Sequence, residues 1–136
     1  PMQWNQEPMA GFTTGIPWIA LNPNAYAVNV ECAYRDKNSI LHFYRKLIAL
    51  RNTSDVLKWG DFQLLLPEDP QIFAYRRTYR ESSIEVWCNF SKRKCTIPAE
   101  VSGSILLSSG AEGNILAPYG FIITASAELD MKCLYE

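Results

Sequence analysis

Histidine is almost missing from this sequence: His42 is the only one in 136 residues. The four cysteines, Cys32, Cys88, Cys95 and Cys133, form no CxxC and no paired ligand spacing, so neither a zinc site nor any other metal or cofactor is expected. There is no run of about 18 apolar residues to span a membrane. The N-terminus does not show charged, apolar and small-residue regions in the order of a signal peptide. Charge of one sign is lacking too: 13 Lys and Arg face 14 Asp and Glu, and the net charge is −1. The basic residues are scattered apart from Lys92, Arg93 and Lys94, which read as a solvated turn between strands. Nucleic acid and anionic membrane are therefore not expected partners. No glycine-rich phosphate loop, GxSxG, HExxH or DxDxDG motif occurs.

What is there is the composition of a globular chain, 48% hydrophobic and 20% charged. Cys88 and Cys95 sit in strand-like apolar settings, where a free thiol behaves as a small hydrophobe, which favours reduced cysteines and a cytoplasmic location. Residues 1–37 hold Pro1, Pro8, Pro17 and Pro23 beside Trp4, Phe12 and Trp18. They read as a long apolar loop that cannot form its own core and must pack on something larger. From Asn38 the apolar residues Ile40, Leu41, Phe43, Tyr44, Leu47, Ile48 and Leu50 recur at helical spacing. A helix is expected over about 39–52, capped by Asn38 or Ser39 and stopped at Asn52-Thr53-Ser54. Ile40, Phe43, Leu47 and Leu50 form a stripe that needs a cover, and a dimer of the chain is one way to supply it. His42 has no nearby acid or second histidine in the sequence and is expected on the helix surface.

After residue 55 the period falls to two. Phe73, Tyr75, Arg77 and Tyr79 alternate with Ile72, Ala74, Arg76 and Thr78, and Ile84, Val86, Cys88 and Phe90 alternate with Glu85, Trp87 and Asn89. Both segments read as half-buried antiparallel strands. Short apolar runs at 62–66, 95–97, 105–107, 114–116 and 119–124 are separated by turn residues, including Pro118, which describes a mainly β fold, an antiparallel β-sandwich or small barrel. The acidic residues lie in the leading loop, in turns or in the tail, except Glu85, placed mid-strand on the outward face. No two are set by spacing to act as a general acid and a nucleophile, so no catalytic residue is assigned. Trp87, on the same outward face, with Trp59, Tyr75 and Tyr79, supplies the aromatic rings that a sugar-binding surface would use, though packing against a neighbouring element is the simpler reading.

Five short motifs run in order near the start: Pro1-Met2-Gln3-Trp4-Asn5, Ala10-Gly11-Phe12-Thr13-Thr14-Gly15, Pro17-Trp18, Leu21-Asn22-Pro23-Asn24 and Val28-Asn29-Val30. Together they resemble one stretch of the α-amylase superfamily, glycoside hydrolase family 13. The likeness is greatest to its oligo-1,6-glucosidase, dextran glucosidase and trehalose-6-phosphate hydrolase branch. It continues through Asp36-Lys37-Asn38-Ser39-Ile40 and Leu47-Ile48-Ala49-Leu50-Arg51, then more loosely through Asp69 to Tyr75 and Asn89-Phe90-Ser91. Asn5 stands where the family usually has Asp, and Ile16 where it often has a charged residue.

The resemblance implies that residues 1–55 are the end of a catalytic TIM barrel, a loop after the last strand plus the last helix, and that residues 56–136 are a C-terminal antiparallel β domain. It implies an intact parent that is a retaining α-glucosidase acting on short oligosaccharides, with α-1,6 linkages favoured. The family's catalytic carboxylates all precede the PMQW motif, so none is carried onto this chain. The chain would then be inactive by itself, with the barrel of the same polypeptide as its partner. Gln3, Trp4 and Phe12 are expected near the outer substrate subsites, with barrel packing as the competing role for the two rings. The alternatives are a carbohydrate-binding module that acts alone and the C-terminal part of an inactive family member serving as a transporter subunit.

Overall fold

The computed structural model describes residues 1–98, 101 and 103–126. Cys133, Glu100, Glu128, Asp130, Glu136 and Ser102 of one expected turn lie outside them. The chain divides into two compact units, Pro1–Ala49 and a second that begins at Leu50, so the division falls within a helix. Among the described residues no helix is long and apolar enough to cross a membrane.

In the first unit, the stretch expected to be loop contains a helix, α1 (Val30–Arg35). Asn29 sets its start: the buried side chain accepts a hydrogen bond from Cys32 N at 2.9 Å and donates to Ala25 O at 2.9 Å. Glu31 and Arg35 pair one turn apart. Six residues are too few to show a helical period in sequence, so only the cap announces this element. Helix α2 (Ile40–Thr53) is close to the span expected. Ser39 begins it, with Oγ accepting from His42 N at 3.4 Å and donating to Ala33 O at 2.6 Å. The same fold-back places the Tyr34 carbonyl over His42, whose Nε2 donates to it at 2.8 Å. His42 is 9% exposed and not a surface residue as expected. The neighbour that covers it lies in α1, the element its own helix pattern does not reveal. On the apolar stripe of α2, Leu50 is buried, Phe43 and Leu47 are half-buried, and Ile40 is exposed.

The second unit opens with another short helix, α3 (Asp55–Trp59). Ser54, read from sequence as part of a stop, is its N-cap and accepts from Leu57 N at 3.3 Å. Among the described residues six antiparallel strands follow: β1 (Asp61–Leu64), β2 (Ile72–Tyr79), β3 (Ser82–Asn89), β4 (Cys95–Thr96), β5 (Ser104–Glu112) and β6 (Ile115–Ala125). This is the β-rich C-terminal part expected, and its strands belong to one hydrogen-bonded network. Strands β1, β2, β3 and β6 lie side by side in that order. β4 pairs with the start of β6 (Cys95↔Leu116) on the edge that β3 occupies further along (Cys88↔Phe121), while β5 follows the opposite edge. β6 runs through Pro118, where the sequence suggested a turn. Residues 117–120 bulge opposite Gly110, between the pairs Ala111↔Leu116 and Ser109↔Phe121, so the proline, which has no N–H to donate, is accommodated outside the regular ladder.

One face of the sheet carries the core of Ile72, Ala74, Trp87, Leu116 and Ile122, closed by Ile97. α3 packs against β2 and β3, and Ile84 and Val86, on the face opposite Trp87, are buried as well. Because β3 is central and covered on both sides, its alternation does not separate an inner from an outer face. Trp87 is 4% exposed and Glu85 is largely covered, which corrects the outward placement given to both.

Candidate functional site

The three residues expected near substrate lie in the first unit and are held by main-chain bonds. Gln3 O accepts from Val30 N and Trp4 O from Glu31 N, each at 2.9 Å, which pins the start of the segment to the first turn of α1. The Gln3 side chain spends its amide protons inside the loop, donating to Asn24 Oδ1 at 3.0 Å and Val28 O at 2.6 Å. Only its Oε1 is left to accept a bond from a sugar hydroxyl. Trp4 N and Asn5 N both donate to Ala10 O, at 2.9 and 3.3 Å. These bonds fold the segment carrying Phe12 back towards Trp4. The two rings are 49% and 48% exposed, so each offers a face, while Ala10 beneath the turn is buried. A cavity of about 170 Å³ beside the turn is lined by Asn5, Glu7, Met9, Leu21, Asn22 and Tyr26, among others.

In the second unit, Trp87 faces the core and donates its Nε1–H to Glu85 Oε2 at 3.0 Å, so it offers no stacking surface. Trp59 is 69% exposed. Tyr75 lies in a row of rings, 5.3 Å from Phe62 and 5.7 Å from Phe73, with Phe90 a further 6.0 Å from Phe73. Tyr79 lies under the Arg80 guanidinium at 5.1 Å. The row containing Phe62, Phe73 and Phe90 was not anticipated from the sequence. Its signal was the sheet face that Phe62 in β1 shares with Phe73 and Tyr75 in β2, visible only once the register Phe62↔Arg77 is known.

Several carboxylates of the second unit are held by cationic or backbone N–H donors. Glu85 Oε1 takes Arg76 Nε at 2.9 Å and Nη2 at 2.5 Å. Lys58 bonds to Asp55 at 2.9 Å and holds its carboxyl below the ordinary range. Asp69 Oδ1 accepts from the backbone N–H groups of Ile72 and Gln71, each at 2.8 Å, and these bonds lower its pKa. Asp55 and Asp69 are thereby stabilised in the ionised form, the opposite of what a general acid requires. Burial pushes the Cys88 thiol and the Tyr75 phenol up, which keeps both neutral. Among the described residues, no three His, Cys, Asp or Glu side chains are grouped to hold a metal ion.

Comparison with known proteins bears first on the segment that carries Gln3, Trp4 and Phe12. Residues 1–60 match the family model described as "Alpha amylase, catalytic domain". The oligo-1,6-glucosidase of Bacillus cereus is 43% identical over 106 residues, which cover 76% of this chain and 19% of that protein. The trehalose-6-phosphate hydrolase of Escherichia coli strain K12 is 45% identical over 92 residues, covering 68% and 17%. Among solved structures, the trehalose-6-phosphate hydrolase of Bacillus licheniformis superposes with a TM-score of 0.79 at 32% identity, covering 92% of this chain and 25% of that one. The isomaltulose synthase of Klebsiella sp. LX3 gives 0.80 at 31%, covering 90% and 24%. The chain thus spans about a fifth of the length of the curated relatives it matches. It belongs to the α-amylase superfamily, glycoside hydrolase family 13, in the branch that holds the oligo-1,6-glucosidases and trehalose-6-phosphate hydrolases.

Proposed function

We propose that this chain is the C-terminal part of a retaining α-glucosidase that hydrolyses α-1,6-glucosidic bonds of short oligosaccharides. Residues 1–55 close the catalytic barrel and residues 56–136 form a supporting β domain. The observation that carries the reading is the match of residues 1–60 to the catalytic-domain family, continued by relatives named as oligo-1,6-glucosidases over most of the chain. Gln3, Trp4 and Phe12 border the outer substrate subsites, where the half-exposed rings offer apolar faces to a sugar and Gln3 Oε1 offers an acceptor. The exposed row of Ile40, Tyr44 and Ile48 on α2 supports a covering partner, which in this reading is the barrel of the same polypeptide. Cys32, Cys88 and Cys95 are unpaired, which supports a reducing, cytoplasmic setting.

The stand-alone carbohydrate-binding reading loses its central residue, because Trp87 is in the core. The test is hydrolysis by the polypeptide that joins this chain to the upstream part of the family's barrel, with isomaltose, maltose and trehalose 6-phosphate as substrates. Turnover of isomaltose above the other two is expected. Preference for trehalose 6-phosphate would reassign the substrate, and no turnover of any of the three would remove the enzyme reading.

A further inference from the structure

We propose that Asn5 is a positioning residue for the substrate-facing loop, and that its amide, paired with Glu7, locks the turn that connects Trp4 to Phe12. The proposal rests on the reading that Trp4 and Phe12 border the substrate. Met9, Ala10 and Gly11 follow one another in the left-handed region, with φ of 56°, 53° and 65°. For L residues with a Cβ this conformation crowds the side chain against the backbone, so two in succession persist only where the surroundings hold them.

Asn5 touches that turn in three ways. Its backbone N–H donates to Ala10 O, in company with Trp4 N. Its side-chain amide lies against Gly11, where an added Cβ would come within 2.6–2.9 Å of Oδ1, Nδ2 and Cγ, so the contact requires glycine. Both ends of the amide engage Glu7: Oδ1 accepts from Glu7 N at 3.0 Å, and Nδ2 donates to Glu7 Oε2 at 3.3 Å. Glu7 O in turn accepts from Ala10 N at 2.8 Å, and Met9 O from Phe12 N at 3.0 Å. The chain of bonds therefore runs from Asn5 through Glu7 and the turn to the backbone of Phe12.

The amide chemistry matters here. Asp at position 5 keeps the acceptor for Glu7 N but sets a second carboxylate against Glu7 Oε2, where the Nδ2–H now donates. The lock thus depends on the pair, and placing an uncharged partner at position 7 removes the repulsion.

The experiment uses Asn5→Ala, Asn5→Asp and Asn5→Asp/Glu7→Gln in the full-length polypeptide. Amide exchange is read at Trp4, Asn5 and Phe12, and KM and kcat are read separately on isomaltose. Asn5→Ala and Asn5→Asp are expected to speed exchange at these amides about tenfold. KM is expected to rise about fivefold, with kcat within about twofold. The double variant is expected to restore both. Unchanged exchange in Asn5→Ala, or no rescue by Glu7→Gln, overturns the lock. Faster exchange with an unchanged KM overturns the positioning role. If exchange responds but the wild-type polypeptide hydrolyses no α-glucoside, the α-glucosidase reading and the positioning role fall together, and the lock itself stands.

Discussion

Asn89, at the end of β3, donates its side-chain Nδ2–H to the Ala117 carbonyl in the bulge of β6 at 2.8 Å. The same nitrogen reaches Arg93 O at 2.7 Å, and Oδ1 accepts from Ser91 N at 2.9 Å. One buried amide therefore joins the end of β3, the 91–94 turn that leads into β4, and the interruption at Pro118.

Replacing the buried Asn89 by Ala leaves those carbonyls without their donor. Each such loss costs about 1–3 kcal/mol. The expected result is a fall in unfolding free energy of roughly 2–4 kcal/mol by urea titration, with the slope unchanged. Asn89→Asp is expected to be worse, because it keeps the acceptor and turns a charge towards backbone carbonyls. A change below about 0.5 kcal/mol for Ala would show that the amide is not a structural tie.

Glu85 links Arg76 to Trp87, so its removal leaves the buried Trp87 Nε1–H without its acceptor, while the Arg76 side chain, 43% exposed, turns to water. Glu85→Ala is expected to destabilise by about 1–2 kcal/mol. Glu85→Gln, which keeps an acceptor oxygen, should lose less. Thermal melts followed by tryptophan emission read both the stability and the environment of the ring. Equal losses for Ala and Gln would assign the effect to charge alone.

Much of this fold is legible in the sequence, and the exceptions have physical causes. The period of Leu47, Ile48 and Leu50 reveals α2, and the alternation around Tyr75 and Val86 reveals β2 and β3. α1 and α3 escape because six and five residues make too little period; Asn29 and Ser54 are their only local marks. Trp87 is misplaced by its own pattern, since alternation tells parity but not which face is covered, and in β3 both are. His42 is covered by Tyr34, eight residues away, through a reversal that no periodicity describes. The proposed site residues Gln3, Trp4 and Phe12 rest on motif resemblance, and their local geometry comes from bonds to Ala10, Asn24 and Val28 that composition does not encode.

The pH dependence of stability has a sign at each end. The Asp69 pKa is lowered chiefly by the N–H of Ile72, then by that of Gln71. A depressed carboxyl adds stability that is complete above its ordinary value of 3.8 and is lost as pH falls through the lower folded value. Asp69→Asn should therefore flatten the acid limb of a stability profile. The Cys88 thiol is raised by burial, so its contribution is complete below 9.0 and is lost as pH rises through the higher folded value. Cys88→Ala should flatten the alkaline limb, whatever it does to stability at neutral pH. Denaturant midpoints measured from pH 2 to pH 11 compare the limbs, and unaltered slopes in both variants would refute the assignment.

The 136-residue chain, purified as it stands, is expected to hydrolyse no α-glucoside. Retaining hydrolysis needs one carboxylate to attack the anomeric carbon and a second, protonated one about 5–5.5 Å away to donate to the leaving oxygen. Both must be held on a rigid scaffold to a fraction of an ångström. Among the described residues, Glu85 and Glu31 are committed to Arg76 and Arg35, and Asp55 to Lys58. Asp69 is spent on two backbone N–H groups. The shifts at Asp55 and Asp69 run towards the anion, so neither supplies a proton near pH 7. Glu7, beside Trp4 and Phe12 in the chain, is bonded to Asn5 and stands without a second carboxylate across the 170 Å³ cavity it lines. The measurement is release of p-nitrophenol from p-nitrophenyl α-glucoside and of glucose from isomaltose, at high protein concentration. Turnover above buffer that disappears on Glu7→Gln or Glu85→Gln would overturn this prediction, and with it the assignment of catalysis to residues outside the chain.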